Sequence, residues 1–504
     1  MTTPQLLLLC LPLVPVVGAL VAGALPAGRG RAIRAVGWTA SLAALGVWIW
    51  LRAALEAGAD GAGPWVSLQA PWVPAFGISL HLALDGTGVL MAGLVAAVGV
   101  AAAVATLPFE SGLSRVHVVS LLLAEAGMLG LVAAWDLILF VTFWEVTLVP
   151  FYFLMGRGPR AGAAAATRFV VTSVTSSVLM WVGMLWAVRL AGGDPTFDLI
   201  ELSARLAGRP EVPAGLVLLL SAACLVRMAA LPLHTWFPVA AADVPTAAAM
   251  LLAGGVLPLG GFGLVHVVAR LAGPGLGGVG EWFVWLGLAT AAGGGLAALV
   301  QRDLKRLLAF VCLAQVGLAA AGLSMASDAA RAGGLHLLLA GGLSGAGLFL
   351  FAGVVCQARG SQRLVDLGGL WSSHPFFAGL AFAAVASAAA VPGTAGFVGA
   401  VQVLQGTEGR WLGVALVSLG LLCPGAAVVW AFRRVVGGSF QGDMWTAERW
   451  PRRRQVVVLA LLALLLLGAG LFPALFRPQA GAGDPPGEAL ACAGVRGQAG
   501  EVRP

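Results

Sequence analysis

Glu145 and Arg227 are the two side chains whose chemistry and position stand out. Glu145 lies in the middle of WDLILFVTFWEVTLVPFYFLMG, Trp135 to Gly156, where the only other acid is Asp136 at the start. If this run crosses a bilayer as a helix, Glu145 sits roughly 15 Å from its start, near the centre of a hydrocarbon layer about 30 Å thick. A carboxylate at that depth costs at least a few kcal/mol unless it is paired, hydrated or protonated, so it marks a charge-carrying role more readily than a hydrogen-bonded packing role. Burial raises a carboxyl pKa and a nearby cation lowers it again, which is the tuning a proton relay needs. Arg227, in LLLSAACLVRMAALPLHTW, is a cation that is effectively never deprotonated; it either holds a carboxylate charged or snorkels to an interface. Glu125, in LLLAEAGMLG, is a further inward candidate. Histidine titrates near neutrality and suits proton transfer, which makes His234, His266 and His336 candidates, although a lone histidine in an apolar helix also serves structure. Lys305 is the single lysine, so a relay of mid-membrane lysines is excluded by composition.

The elements that must position these residues are apolar. Of 504 residues, 60% are hydrophobic and 10% charged, with a mean hydropathy of +0.95, which gives an all-α polytopic protein of the lipid bilayer with no evident water-soluble domain. The 71 glycines lie largely in apolar runs, as expected where membrane helices approach closely. Six scattered cysteines with no Cys-x-x-Cys support neither a metal site nor a disulfide framework. Gln5 to Leu25 lacks a basic leader and reads as a retained span. The net charge of +7 is topological: basic residues such as Arg29, Arg31, Arg34, Arg157, Arg160, Arg302, Arg433 and Arg453 fall between hydrophobic runs, so no nucleic acid is expected as a partner. Counting about 14 helices puts the richer basic loops inside and both termini outside, in a bacterial inner membrane.

Two breaks interrupt the apolar pattern. One is LPLHTWFPVAAADVPT, Leu231 to Thr246; the other is AVPGTAGFVGA, Ala390 to Ala400, inside the segment 376–403. Irregular backbone at membrane depth needs protein or water around it, and a matched pair of interrupted helices points to a transporter built from inverted repeats. The span Trp135 to Gly156 is expected to bend at Pro150.

The blocks FGISLHLALDG, LLLAEAGMLGLVAAWDLILFVTFWEVTLVPFYFLMG, LPLHTWFP…PTAAAMLLAG, QRDLKRLLAF and PGTAGFVG, between about Phe76 and Gly437, resemble the antiporter-like membrane subunits of respiratory complex I. Mrp-type cation/proton antiporter subunits and hydrogenase membrane subunits share that superfamily. The resemblance implies 14 helices with two inverted five-helix repeats, each containing a broken helix. Residues 1–110 would hold helices 1–3, 111–272 the first repeat, 273–440 the second, 441–478 the last helix and 479–504 a disordered tail. It implies proton translocation coupled to quinone reduction, alongside other membrane subunits of a complex I-type assembly. NADH, FMN, iron–sulfur clusters and quinone would then belong to partner subunits, with no cofactor, metal or redox site on this chain. Glu145 matches the essential glutamate of the fifth helix, and Arg227 falls where a seventh-helix lysine pairs with it. Pro258 stands where a central lysine is expected, Ala314 and Gln315 replace a Ser-His pair, Gly341 replaces a histidine and Ala400 a terminal charged residue. Val239 and Ala241 replace polar residues after HTWFP. These departures imply weakened conduction, or a non-conducting structural paralogue; an Mrp-type antiporter is the further alternative.

Overall fold

The computed structural model describes residues 1–56, 64–105, 115–156, 162–207, 212–273, 279–407, 410–437 and 452–476; the expected tail 479–504 lies outside them. Twelve helices are long and apolar enough to cross a membrane, and three shorter apolar helices accompany them.

α1 (Thr3–Ala24) and α2 (Gly30–Glu56) pack on each other and on α4 (Arg115–Ala133), with α3 (Gly86–Ala105) beside them. Between α2 and α3 the chain forms an antiparallel hairpin, β1 (Val66–Val73) with β2 (Ile78–Leu84). The helical membrane architecture is as expected, and this hairpin is an addition to it. The reason is local: Ser67 and Gln69 in one strand, and Ser79 and His81 in the other, alternate with Leu68, Leu80 and Leu82, a period of two that a helix cannot present on one face. The hairpin turns at Gly77, whose φ of 67° is left-handed; a Cβ there would meet the Pro195 carbonyl oxygen at 1.7 Å, so only glycine fits.

The run Trp135–Gly156 is two helices, α5 (Leu137–Val146) and α6 (Leu148–Met155), that meet at Thr147. Pro150 lacks the N–H that would bond back across the junction, which accounts for the interruption. Asp136 caps α5 by accepting from the Ile138 and Leu139 N–H groups. α7 (Gly162–Ala191) follows, then a short amphipathic α8 (Leu199–Ala207) and α9 (Ala214–Arg227). The chain then resumes as α10 (Trp236–Asp243), so the expected irregular stretch 231–246 is partly helical and the break itself is shorter. From Thr246 to Ala272 a single deeply buried helix runs as α11 (Thr246–Leu251), α12 (Leu257–Gly263) and α13 (Arg270–Ala272), joined by π-helical turns Leu252–Val256 and Leu264–Ala269.

α14 (Gly280–Leu299), α15 (Leu304–Ser324) and α16 (Asp328–Arg359) come next; α15 is capped by Asp303, as its position predicts, and the apolar stretch of α16 is buried throughout. A short α17 (Leu370–Ser373) leads into α18 (Pro375–Ala388) and, after the second break, α19 (Ala395–Gln405); the helix has already resumed within PGTAGFVG. α20 (Trp411–Val436) and α21 (Arg453–Leu471) close the described chain.

The two breaks end their helices in the same way. At the first, Met228 N–H donates to Cys224 C=O, Ala229 N–H to Val226 C=O and Ala230 N–H to Leu225 C=O. At the second, Ala389 N–H donates to Val385 C=O, Ala390 N–H to Ser387 C=O and Val391 N–H to Ala386 C=O. In each the middle residue is an alanine with positive φ, 56° at Ala229 and 51° at Ala390. This is a Schellman-type stop made with alanine where glycine is usual. It satisfies the carbonyls that an abrupt helix end would otherwise leave bare at membrane depth.

Candidate functional site: the first helix break and the hairpin end

Arg227 is the last residue of α9 and is 3% exposed. Its Nη2 donates to Thr147 Oγ1 and, at 3.4 Å, to the Trp144 carbonyl, while the guanidinium lies over the Trp144 ring with its carbon 4.9 Å from the centroid. Thr147 Oγ1 in turn donates to the Trp144 carbonyl at 2.8 Å. The junction between α5 and α6 thus offers Arg227 an oxygen pair on either side of Glu145. Nε and Nη1 have no protein partner. Glu145 is half-buried and acts on the guanidinium through space, with no hydrogen bond or direct ion pair joining them. Its neighbours at helical spacing, Thr142, Val149 and Tyr152, are exposed. The carboxylate therefore stands between the buried cation and the lateral surface of the bundle. The structure brings Glu145 and Arg227 to one place and leaves their pairing open.

Glu125 is 1% exposed on α4. Ser41 Oγ donates to its Oε2 at 2.6 Å, and Gly99 of α3 makes room for it: a Cβ at Gly99 would lie 2.4 Å from Oε1. His234 sits half-buried in the first break, its ring 6.4 Å from that of Phe310, and does not join Arg227. His336 is buried in α16. Nearby on the same helices, Ser344 Oγ donates to Gln315 Oε1 at 3.3 Å. Pro258, Gly341 and Ala400, which occupy positions where the family resemblance implies titrating groups, are all buried. Lys305, the lone lysine, is buried at the start of α15, with Nζ 3.5 Å from the Val244 carbonyl.

A second polar group gathers at the hairpin end of the bundle. His81 Nδ1 bonds Asp198 and its Nε2 lies 2.9 Å from Ser67 Oγ; Gln69 Nε2 donates to Asp198 at 3.2 Å. Asp136 accepts from the Ser79 N–H at 2.9 Å and from its hydroxyl at 3.3 Å. Asp85, just after β2, forms an ion pair with Arg270, whose guanidinium stacks over Trp135 at 4.5 Å. Two carboxylates in this group are driven in opposite directions. Burial raises Asp198, but the hydrogen bond and charge of His81, with the N–H groups of Glu201 and Ile200, outweigh it and hold the carboxyl below its ordinary value. At Asp136 burial wins over the bonds from Ser79, Leu139 and Ile138, and the carboxyl sits above its ordinary value. The sequence reading missed His81, Asp85, Asp198 and Arg270 as site residues. His81 and Asp85 lie within FGISLHLALDG, where the alternation of polar and apolar residues is a signal; Asp198 and Arg270 reach the hairpin from far along the chain and give none.

Among the described residues no group of three or more His, Cys, Asp or Glu side chains could hold a metal, and the five described cysteines are free. The arrangement can carry charge: a half-buried acid, a fixed cation at a helix break and a hydrogen-bonded acid–base network at one end.

Residues 134–422, more than half of the chain, match the family model described as NADH:quinone oxidoreductase/Mrp antiporter, TM. NADH-quinone oxidoreductase subunit M of Pseudomonas aeruginosa is 30% identical over 446 residues, covering 86% of this chain and 87% of that protein. A chain of respiratory complex I from Thermus thermophilus, solved with bound NADH, superposes with a TM-score of 0.81 at 28% identity, covering 93% of this chain and 96% of that one. A chain of the Mrp complex from Dietzia sp. DQ12-45-1b shares the fold, with a TM-score of 0.82 at 22% identity over 96% and 97% of the two chains. By the extent of these matches, the chain belongs to the NADH:quinone oxidoreductase/Mrp antiporter transmembrane family.

Proposed function

We propose that this chain is a membrane-arm subunit of a proton-pumping NADH:quinone oxidoreductase, in which Glu145 and Arg227 couple charge movement to quinone reduction carried out on partner subunits. The observation that carries the reading is Arg227, buried at the end of a broken helix and held by the two oxygens that flank Glu145, in a chain matched to subunit M over most of its length. A permanent cation there can set the charge of Glu145 but cannot pass a proton on. The half-buried side of Glu145 suits an exchange of charge with a neighbouring membrane subunit. In this reading the two repeats are residues 111–272 and 273–440, the termini face the outer side of a bacterial inner membrane, and electron donor, flavin, clusters and quinone reside elsewhere in the assembly. Conduction is weakened at Pro258 in the first repeat and at Gly341 and Ala400 in the second, which have no proton to give, and Gln315 does not titrate.

The test is proton translocation by the reconstituted assembly, measured as protons released per electron delivered to quinone. Glu145→Gln should lower that ratio with electron transfer retained. Arg227→Lys, Pro258→Lys and Ala400→Glu together should raise it. A ratio unmoved by either set would overturn the assigned roles.

A further inference from the structure

His266 is the one titratable side chain on a column of aromatic rings that joins the Arg227 site to the hairpin network, and it is presented by the π-helical turn Leu264–Ala269. Such turns widen a helix locally and recur at functional sites. From Arg227 the column runs through Trp144 to Phe140, whose rings are 5.5 Å apart, then to His266 at 6.0 Å, and from His266 edge-on to Trp135 at 5.1 Å. Trp135 is in turn covered by Arg270, the partner of Asp85, and lies 6.2 Å from His81, the partner of Asp198. Phe262 stacks on His266 at 4.7 Å.

His266 is 1% exposed, and its Nε2 lies 2.9 Å from the Ala134 carbonyl. That bond needs a hydrogen on Nε2, so Nδ1 carries the lone pair, and Nδ1 is buried with no protein partner. The same is true of Trp144 Nε1, Trp135 Nε1, Arg270 Nε, and Nε and Nη1 of Arg227. Buried polar atoms in native proteins are satisfied by protein or by ordered water, and these have no protein partner.

We propose that His266 Nδ1 is a proton-accepting group on a single-file hydrated route from the Glu145–Arg227 site to the Asp85–Arg270 and His81–Asp198 network. This rests on reading the chain as a proton-translocating subunit. In the step, an O–H bond of a hydrated proton on the Arg227 side breaks as an N–H bond forms at Nδ1. The same N–H then breaks as the proton passes to water on the hairpin side. The Nε2–H stays on the Ala134 carbonyl throughout, so the ring begins and ends neutral. The charged groups bearing on it are Arg270 on its own helix and Asp85 and His81 from the hairpin; α9, which packs on its turn, carries Cys224 and Arg227. Phe262, Phe140 and Trp135 line the ring without an oxygen cage, a setting that passes protons and rejects a hydrated metal cation.

The experiment uses the whole assembly, purified through a tag on this chain and reconstituted in vesicles, with acidification per electron followed from pH 5.5 to 8.5. His266→Gln keeps a donor for the Ala134 carbonyl and removes the titrating nitrogen. An assembled His266→Gln complex should lose about half or more of its protons per electron at every pH in that range. Pumping equal to wild type across that range overturns the route alone. A wild-type assembly that transfers electrons without pumping overturns the parent reading and the route together. If the variant fails to assemble, a high-resolution map of the wild-type assembly decides: ordered water within hydrogen-bond distance of Nδ1 supports the route, and a dry apolar contact at that atom overturns it.

Discussion

The two helix breaks share a backbone and differ in what they hold. Each ends its helix with the same three hydrogen bonds around a left-handed alanine, Ala229 in one and Ala390 in the other. Two residues before that alanine stands Arg227 in the first break and Ala388 in the second. Around the first lie Glu145, Trp144 and Thr147, and beyond them the aromatic column and the hairpin. Around the second the polar side chains include Ser387, whose Oγ accepts from the Gly396 N–H at 3.3 Å, and Gln402, whose Oε1 is buried without a partner. The difference teaches that the discontinuity is a property of the scaffold. Its hydrogen bonds close without help from a charge, so the charge can be present or absent while the fold persists.

The largest effect should come from forcing the second break to resemble the first. Ala388 is 5% exposed, whereas Arg227 in the first break is met by the Thr147 and Trp144 oxygens. Ala388→Arg buries a charge without a partner, at a cost on the order of 3–5 kcal/mol. The expected outcome is loss of the chain from the purified assembly, read from its yield and thermal midpoint. Near-normal stability would mean that the second break can supply oxygens to a cation after all.

A smaller effect should separate the two halves by pH. Among the described residues the hairpin bonds to Gln5, to residues 134–136 and 197–198 and, through Asp85, to Arg270, all in the first half of the chain. Asp198→Asn removes a charge-assisted bond to His81 and weakens the cap on Ile200 and Glu201, at a cost of about 1–2 kcal/mol. The sign follows from the direction of each shift. Asp198 is held below its ordinary value when folded, so its contribution is complete above the ordinary carboxylate pKa, about 3.9, and is lost as pH falls through the lowered one. Asp136 is raised, so its ionised form costs stability above the raised value, and that cost is relieved as pH falls through it. Amide hydrogen exchange at 66–84 should lose its acid-side weakening in Asp198→Asn, while exchange at 389–394 stays unchanged. Equal changes at both places would break the separation.

Much of this was legible in the sequence, and what was not has physical reasons. The spans were legible because membrane helices must be long and apolar, and the bend near Pro150 because proline lacks a donor. The breaks were visible as proline-rich gaps, Ala-Ala-Leu-Pro at 229–232 and Ala-Ala-Val-Pro at 389–392. Matching those prolines, however, sets Ala229 against Ala389, one residue away from the structural equivalence with Ala390. Backbone hydrogen bonds fix that register, and side-chain identity does not report it. Glu145 and Arg227 were found because a charge in an apolar run is conspicuous. Their geometry was not, since Arg227 takes its oxygens from Thr147 and a main-chain carbonyl. The hairpin network was hidden because its charged pairs join residues far apart in the chain, as His81 to Asp198 and Asp85 to Arg270 illustrate.

The smallest expected effect tests whether the two stops are equivalent. A left-handed alanine is strained by about 1–2 kcal/mol relative to its right-handed form, and glycine there is free of that strain but loses more chain entropy on folding, about 0.5–1 kcal/mol. The two terms nearly offset, so Ala229→Gly and Ala390→Gly should each stabilise by about 0.5 kcal/mol. Because the bonds are the same at both sites, the two shifts in thermal midpoint should agree. Their effect on pumping should not. Ala229 follows Arg227 by two residues, so loosening that stop frees the cation to move relative to Thr147, and protons per electron should fall slightly. Ala390 follows an alanine, and the same loosening there moves no charge. Equal pumping losses in both variants would show that the breaks act as hinges whatever they carry, and the division between a scaffold and a separable charge would fail.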